Sequence, residues 1–242
     1  MQYINLPEAH KVRSLSFYLA MEEYVAHHVS ADDCFFMWQV EPSVIFGRNQ
    51  MIENEVNLAY CQEHHIQVYR RKSGGGCVYA DSDNVMLSYV SKGDNVGLAF
   101  NRFIQMMLLV MRRMGVEAVG TRHNDILIGD RKVSGTACYH IDGRNIVHST
   151  LLYVTNMEHM LQSITPSQEK LQSKGIQSVR QRITLLKDYL KDDQQPQSTE
   201  TLKAFIRATL CKGEYMLTEA DVAEVEQIEL TYLKEEFINL IQ

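Results

Sequence analysis

Two arginines, a lysine and three consecutive glycines meet in the stretch RRKSGGG at residues 70–76. A glycine costs roughly 0.5–1 kcal/mol relative to alanine in a regular element, so three together indicate a need for bare backbone. Backbone N–H groups beside cations form anion-binding sites. The stretch therefore predicts an anionic ligand lying against the loop. A tight connection between two strands would explain the glycines, but it would not explain the arginines beside them.

The loop carries none of the common phosphate-binding signatures. The sequence has no G-x-x-x-x-G-K-[ST], and Gly74, Gly75 and Gly76 do not extend to G-x-G-x-x-G. Its predicted neighbours are two strands rather than a strand and a helix, which argues against Walker and Rossmann sites. The H-E-x-x-H zinc motif and the G-x-S-x-G nucleophile elbow are also missing from the sequence.

A second polar group lies in RHNDILIGDRKVSGTA at residues 122–137. Lys132, Ser134 and Gly135 follow one another in a predicted strand, and Asn124 and Asp125 precede a shorter strand. Taken alone, Lys132 would be a solvated strand residue and the Asn-Asp pair a turn. Their functional interpretation depends on the other motifs of the chain.

The elements that must position these residues alternate between helices and strands. Hydrophobic periodicity predicts helices over residues 14–30, 53–64 and 97–115, and a helical tail over 178–190 and 218–238. Strands are predicted over residues 34–40, 43–47, 66–71, 84–90, 124–129, 131–141 and 145–154. The polar segment 165–178 is predicted to be a loop. The fold class is α+β, with a large mixed or antiparallel β-sheet flanked by helices in one domain over residues 1–242.

Composition excludes several functional classes. The net charge of −6 argues against a general nucleic-acid binder, which needs a basic face. No apolar run reaches the ~18–20 residues of a membrane span, and the first residues lack the apolar core of a signal peptide. The five cysteines are odd in number and form no C-x-x-C, which is typical of reduced thiols. A cytoplasmic protein without membrane or nucleic-acid partners is predicted.

Five motifs in a recognisable order run along nearly the whole chain. They are VIFGRNQ (44–50), RRKSGGGCVYADSDN (70–84), RHNDILIGDRKVSGTA (122–137), HSTLL (148–152) and KLQSKGIQSVRQRI (170–183). In this order they resemble the lipoate–protein ligase family. The resemblance implies the catalytic-domain fold that lipoate and biotin ligases share. It also implies a reaction in which ATP and lipoate form lipoyl-AMP, whose acyl group passes to a lysine of an acceptor domain, either a 2-oxoacid dehydrogenase E2 or the glycine-cleavage H protein.

The resemblance also implies roles for individual residues. Lys132 matches the lysine that contacts both the carbonyl and the phosphate of the mixed anhydride. The implied substrate-binding residues are Arg70, Gly74, Gly75, Gly76, Tyr79, Ser134, Gly135, His148 and Thr150. The implied nucleotide-binding residues are Asn124, Asp125, Lys174, Gly175, Ser178 and Arg180, with Asp125 as the ligand of Mg²⁺. Residues 166–182 match the segment that closes over the adenylate.

Two departures from the family pattern leave parts of the function open. Family members often have histidine where this chain has Ala80, and HHGTLL where it has VHSTLL, so the choice between lipoate and octanoate stays open. The best-known ligases also carry a small C-terminal domain, which this chain is predicted to lack. A separate accessory subunit could replace that domain.

Two other classes of function compete with the ligase. An octanoyl- or lipoyl-transferase would move the acyl group through a cysteine thioester. One branch of transferases carries that cysteine just before the strand, where this chain has TRHND, and the other carries it in a Pro-Cys-Gly step, where this chain has Pro166-Ser167. A non-catalytic module that holds lipoyl-AMP or an acceptor domain would need neither Lys132 nor Asn124-Asp125. A biotin ligase is disfavoured because its GRGRxGR loop is missing.

Overall fold

The protein contains a large and a small β-sheet in a computed structural model that describes residues 1–122, 125–164, 182–191 and 195–239. Within these residues the strands are β1 (Gln2–Asn5), β2 (Asp33–Trp38), β3 (Ser43–Phe46), β4 (Gln67–Arg70), β5 (Val78–Ala80), β6 (Val85–Lys92), β7 (Val119–Gly120), β8 (Asp125–Ile128), β9 (Arg131–Ile141), β10 (Arg144–Leu151) and β11 (Gly213–Met216). The large sheet has the order β11-β1-β2-β6-β10-β9-β8-β7, and the small sheet the order β4-β3-β5. β1 pairs in parallel with β2 and β11, whereas β6, β9 and β10 pair antiparallel, so the large sheet is mixed.

The helices of the described residues are α1 (Leu15–His28), α2 (Ile52–Glu55), α3 (Leu58–Glu63), α4 (Val96–Arg113), α5 (Met157–Ser163), α6 (Thr199–Leu210), α7 (Glu219–Tyr232) and α8 (Glu235–Ile238). Polar side chains cap several of them. The side chains of Ser14 and Asn95 accept hydrogen bonds from the first turns of α1 and α4, and Thr218 forms a capping box at α7. Gly115 ends the α4 segment with a φ of 74°, which suits glycine.

Helices cover both faces of the large sheet. Along β10 the side chains alternate, so Ile146 packs with α1 residues, whereas Val147 and Leu151 pack with α4 residues. α1 and α7 cover the first face, here called the α1 face, and α4 and α6 cover the second. Most of the buried apolar residues lie in these two layers. Burying one such side chain, for example Phe103 of α4, stabilises the fold by about 1.5–3 kcal/mol.

The small sheet packs separately and carries the glycine loop. β3 lies between β4 and β5, in parallel with β4 and antiparallel to β5. Val44, Phe46 and Tyr79 form its core with Cys61 of α3 and Leu152, which follows β10. Residues 71–77 connect β4 to β5, so the glycines lie at the end of the small sheet beside the large one.

The predicted fold class is confirmed, and so are most of the long elements. The helices predicted over residues 14–30 and 97–115 correspond to α1 and α4, and the strands predicted over 131–141 and 145–154 to β9 and β10. The hairpin turns at Gly129 and at Asp142-Gly143 have positive φ, as two-residue turns require.

Several predicted elements need correction. The helix over residues 53–64 is two short helices, because Asn57 interrupts it and accepts a hydrogen bond from Tyr60 N at 3.2 Å. The strand that follows the glycine loop is the short β5, not the strand over 84–90. The helix over 178–190 is wrong for the described residues 182–190, where Ile183 bridges to Lys132 and a 3-10 helix spans Leu186–Tyr189. The predicted loop 165–178 lies outside the described residues.

No helix of the described residues has the length and apolar character that crossing a membrane needs.

Candidate active site

Arg71 organises the glycine loop from inside the protein. It is almost fully buried, and its guanidinium donates to Ser73 Oγ (3.0 Å), Gly74 O (2.8 Å), Gly76 O (2.7 Å) and Ile45 O (3.1 Å). Burial lowers the pKa of Arg71 to about 10, so the group is still charged at neutral pH. Because its planar fork binds two glycine carbonyls at once, the loop is fixed with these carbonyls turned inward. A Cβ added at Gly74 or Gly76 would meet nothing within 4 Å, so there is space beside their backbone.

The loop lies back to back with the segment that follows β3. A Cβ on Gly47 would lie 2.1 Å from the carbonyl oxygen of Gly75, so only glycine permits this approach. Gly75 itself has a φ of 92°, which strains any other residue. Arg48 N donates to Ser73 O at 2.9 Å and closes the contact. The glycines therefore serve backbone packing as well as space for a ligand.

Arg70, the predicted ligand contact, is also buried. Its guanidinium lies over the Phe46 ring and donates to the carbonyl oxygens of Arg48 (2.5 Å), Gln50 (3.0 Å) and Ile238 (3.0 Å). Burial lowers its pKa as well. The ligand-binding role of Arg70 stays a prediction. The arginine whose guanidinium holds the loop carbonyls is its neighbour Arg71, which the sequence interpretation left without a role.

A chain of buried hydrogen bonds joins Ser73 of the loop to α1. Ser73 Oγ lies 2.6 Å from His148 Nε2, and His148 Nδ1 lies 2.9 Å from a carboxylate oxygen of Glu22. The other oxygen of Glu22 accepts from Ser88 Oγ at 2.6 Å, which in turn accepts from Trp38 Nε1 at 2.9 Å. The structure thus brings the predicted site residue His148 to the glycine loop. The sequence interpretation missed its partner Glu22.

Lys132 sits beside Asp125 in a cluster of three charges. Its ammonium lies 2.7 Å from Asp125 Oδ1, and Arg182 Nη2 donates to Asp125 Oδ2 at 2.6 Å. A register shift between β8 and β9 places Val133 as an extra residue, which turns the Lys132 side chain back over Gly135. Thr184 N donates to Lys132 O at 2.8 Å, so the segment that carries Arg182 is fixed against β9.

The Lys132 ammonium and His148 lie on the same face of the sheet. Gly135 pairs with Thr150 and Ala137 with His148, and directly opposed residues share a face. This is the α1 face, because Ile146, which has the same parity as His148 and Thr150, packs there. Lys132, Thr150, His148 and the glycine loop are therefore neighbours across one surface.

Two predicted contacts lie elsewhere. Ser134 is opposite Leu151 on the α4 side, fully buried, with its hydroxyl 2.6 Å from Ser149 Oγ. Tyr79 is fully buried in the core of the small sheet. Their assignment as ligand contacts stays a prediction that this geometry does not support. The predicted nucleotide-binding residues Asn124, Lys174, Gly175, Ser178 and Arg180 lie outside the described residues.

Asp125 is the predicted ligand of Mg²⁺. Each of its two oxygens already faces a cation, so a metal ion there would have to displace Lys132 or Arg182. The described residues contain no group of three or more histidine, cysteine, aspartate or glutamate side chains placed to hold a metal. The arrangement does not fit a metal site as it stands.

Replacing Gly135 by alanine is expected to displace the Lys132 ammonium. The new Cβ would lie 2.5 Å from Nζ and 2.6 Å from Cε, and the flexible end of the lysine would move away from it. A shift of about 1 Å at a reacting group costs up to about a hundredfold in rate, whereas little stability is lost. The melting temperature of Gly135→Ala, and its rate in the reaction that the resemblance implies, would be compared with those of Gly97→Ala, whose Cβ makes an ordinary 3.5 Å contact. An unchanged rate in Gly135→Ala would contradict this placement of Lys132.

Comparison with known proteins places the chain in a family. Residues 14–210 match the family model of the lipoyl protein ligase A/B catalytic domain. Lipoate–protein ligase 1 of Staphylococcus aureus is 35% identical over 216 residues, which are 87% of this chain and 65% of that protein. The chain thus spans less than two thirds of that relative's length.

Solved structures show the same fold. The bi-partite lipoate protein ligase of Thermoplasma acidophilum, analysed with its E2 lipoyl domain, matches with a TM-score of 0.80 at 22% identity over 100% of this chain and 97% of that chain. A lipoate-protein ligase A bound with ATP matches with a TM-score of 0.80 at 21% identity over 99% of both chains. The family resemblance seen in the sequence motifs is confirmed, and the chain belongs to the lipoyl protein ligase A/B catalytic-domain family.

Proposed function

We propose that this chain is the catalytic part of a lipoate–protein ligase. It would activate lipoate with ATP to lipoyl-AMP and transfer the lipoyl group to a lysine of an acceptor domain. The observation that carries the proposal is the placement of the Lys132 ammonium on the same sheet face as His148 and the glycine loop. A cation beside bare backbone suits a mixed anhydride, which bears both a phosphate and a carbonyl.

The reaction has two steps that this surface would serve. First, a carboxylate oxygen of lipoate attacks the α-phosphorus of ATP, and pyrophosphate leaves. Second, the acceptor lysine amine attacks the acyl carbon, AMP leaves, and the amine loses a proton. Lys132 would stabilise the negative charge that develops on the phosphate oxygens in the first step and on the carbonyl oxygen in the second. Asp125 and Arg182 would hold the lysine in place between the two steps.

The ligands and partners of the similar proteins indicate which molecules this chain would bind. The structural neighbours include a ligase bound with ATP and a bi-partite ligase studied with an E2 lipoyl domain. We infer that the acceptor is a lipoyl domain of a 2-oxoacid dehydrogenase E2 or the H protein. A bi-partite ligase is among the structural neighbours, which supports the proposal that a separate accessory polypeptide assists adenylation.

No cysteine is expected to act as a nucleophile, which distinguishes the ligase from an acyltransferase that works through a thioester. Burial, followed by the Glu22 carboxylate, raises the pKa of Cys138 to about 12, and burial raises that of Cys77 to about 12. Thiols with such pKa values are poor nucleophiles at neutral pH, because the thiolate is the reactive form. Cys138→Ser and Cys77→Ser should therefore transfer lipoyl groups like the unchanged protein. Loss of transfer together with a trapped acyl-thioester, detected by mass spectrometry, would favour the transferase.

The function is tested by supplying the two halves of the reaction separately. The purified chain is incubated with an apo-acceptor domain and either ATP plus lipoate or synthetic lipoyl-AMP, and the acceptor is weighed by mass spectrometry. We expect transfer from lipoyl-AMP, and slower modification from ATP plus lipoate. Adenylation is the more demanding step because pyrophosphate must leave in line and water must be excluded.

Each outcome of this experiment has a separate meaning. Equal rates from both donors would show that the chain is self-sufficient and that no accessory polypeptide is needed. Binding of lipoyl-AMP without modification of the acceptor would indicate a non-catalytic module. If the chain neither modifies the acceptor nor binds lipoyl-AMP, the proposed function is wrong.

A further inference from the structure

We propose that Glu22 and Glu23, adjacent residues of α1, are positioning residues that hold the glycine loop in its working conformation. Each acts on one of two adjacent loop residues: Glu22 on Ser73 through His148, and Glu23 directly on Lys72. The importance of the loop for catalysis rests on the proposed function, whereas the holding of the loop does not.

The hydrogen-bond chain from Glu22 through His148 to Ser73 consists entirely of buried side chains. Glu22 and Ser73 are fully buried, and His148 is nearly so. The Glu22 carboxylate holds the Nδ1 side of the imidazole, and the Nε2 side then faces Ser73 Oγ. Ser88 Oγ fixes the second oxygen of Glu22, which leaves the carboxylate one orientation. The imidazole therefore has a fixed ring plane, and the Ser73 side chain has a fixed partner.

Glu23, on the same helix, contacts Lys72, the loop residue that precedes Ser73. Lys72 Nζ lies 2.7 Å from Glu23 Oε2, and Glu23 is 5% exposed. The other oxygen of Glu23 accepts a hydrogen bond from the Tyr232 hydroxyl at the end of α7. Burial raises the pKa of Tyr232 well above its usual value, so the hydroxyl keeps its proton and remains a donor. Lys72 also lies over the Tyr232 ring, with Nζ 5.0 Å from its centre.

The geometry of α1 explains how one helix reaches both residues. Successive side chains of a helix point about 100° apart, because 3.6 residues make one turn. Glu22 therefore points towards β10 and His148, and Glu23 towards α7 and Tyr232. The two sets of contacts nevertheless end at adjacent loop residues, because Lys72 and Ser73 immediately precede the glycines. α7 starts after residue 210, where the family match ends, so a segment outside that match contributes to holding the loop.

Core stability alone does not account for this pair of acids. Replacing buried charged groups by well-packed apolar residues is often neutral or stabilising, so two adjacent buried glutamates are not needed to fold a helix. Every other buried α1 residue from Leu15 to Ala26 is apolar or carries at most a hydroxyl. Both carboxylates act on the same loop. Preorganised stabilisation requires that the amides and carbonyls of such a loop are already oriented before a ligand binds.

Amide hydrogen exchange of the ligand-free chain tests the proposal. Arg48 N donates to Ser73 O, so its exchange rate reports the position of Ser73 directly. We expect Glu23→Gln and Lys72→Gln each to speed exchange at Arg48 about tenfold, and the double variant to speed it no further, because both remove the same contact. Glu22→Gln should have the same local effect through His148. Glu226→Gln, which breaks the pair between Arg13, just before α1, and Glu226 of α7, is the matched control and should leave exchange at Arg48 unchanged.

Because the exchange measurement uses no substrate, its result tests the holding of the loop independently of the proposed function. Unchanged exchange at Arg48 in Glu23→Gln, additive effects in the double variant, or equally faster exchange throughout α4 would each overturn it. Acyl transfer from lipoyl-AMP then tests the consequence for catalysis. The KM for lipoyl-AMP should rise about tenfold in Glu23→Gln and not in Glu226→Gln, with kcat nearly unchanged. If exchange responds and KM does not, the loop is held but its conformation does not position the ligand.

Discussion

Replacing Lys132 by alanine is expected to lower the rate of acyl transfer by about a hundred- to a thousandfold, because one preorganised charge contact in a transition state is worth roughly 3–4 kcal/mol. The ammonium lies beside Asp125 on the α1 face, close to where the mixed anhydride would be held. The fold should survive, since the side chain is partly exposed and outside the core. Transfer from preformed lipoyl-AMP and ATP–pyrophosphate exchange would be measured together, with circular dichroism as the check on folding.

Two further variants make this test specific. Lys187→Ala removes another half-buried lysine, on the 3-10 helix beside Tyr153, and should leave transfer unchanged. Lys132→Arg keeps the charge but brings a wider group over Gly135, where a single Cβ already has no room. We therefore expect intermediate transfer rather than rescue. Near-normal transfer by Lys132→Ala in both assays would remove the central residue from the proposed mechanism.

The long elements could be predicted because their patterns are local. α4 repeats apolar residues at helical spacing between an asparagine cap and a glycine, so its limits follow from its own sequence. β1 and β11 escaped prediction for the opposite reason. Each has four residues, and β11 is a strand by virtue of its pairing with β1, which lies between β11 and β2, although more than two hundred residues separate β1 from β11. Pairing over such distances leaves no periodic mark in either segment.

The site could be predicted in its residue types more than in its contacts. The motif RRKSGGG marks a loop that needs a cation, but it does not say which arginine contacts the loop. Neighbouring side chains at the end of a strand point to opposite sides, so Arg70 turns towards Phe46 and Ile238, and Arg71 towards the glycines. Sequence distance also hides the Glu22–His148–Ser73 chain. One signal was present: Glu22 and Glu23 are two acids in a helix segment that is otherwise suited to burial.

Arg71 is expected to be the loop residue least tolerant of change, even to lysine. Its guanidinium binds four acceptors in fixed directions, and a lysine ammonium can reach only part of that set. Each buried acceptor left without a partner costs about 1–3 kcal/mol, and Ile45 O is buried, whereas Ser73 Oγ keeps its contact with His148 Nε2. We expect Arg71→Lys to lower the melting temperature by several degrees, at about 2–4 °C per kcal/mol for a chain of this size. Acyl transfer should fall further than stability does, because the glycine carbonyls would be free to turn outward into the space beside Gly74 and Gly76.

Arg102→Lys and Arg70→Lys provide the comparison. Arg102 pairs with Asp33 at the surface, and an exposed pair contributes at most about 1 kcal/mol, so its replacement should change neither property noticeably. Arg70→Lys loses backbone contacts at the far side of β4 and should reduce stability, but it leaves the Arg71 fork in place. Transfer from lipoyl-AMP, measured well below each melting temperature, should therefore be lower for Arg71→Lys than for Arg70→Lys. The reverse order would mean that Arg70 contacts the ligand after a rearrangement of residues 48–50, and that Arg71 serves stability alone.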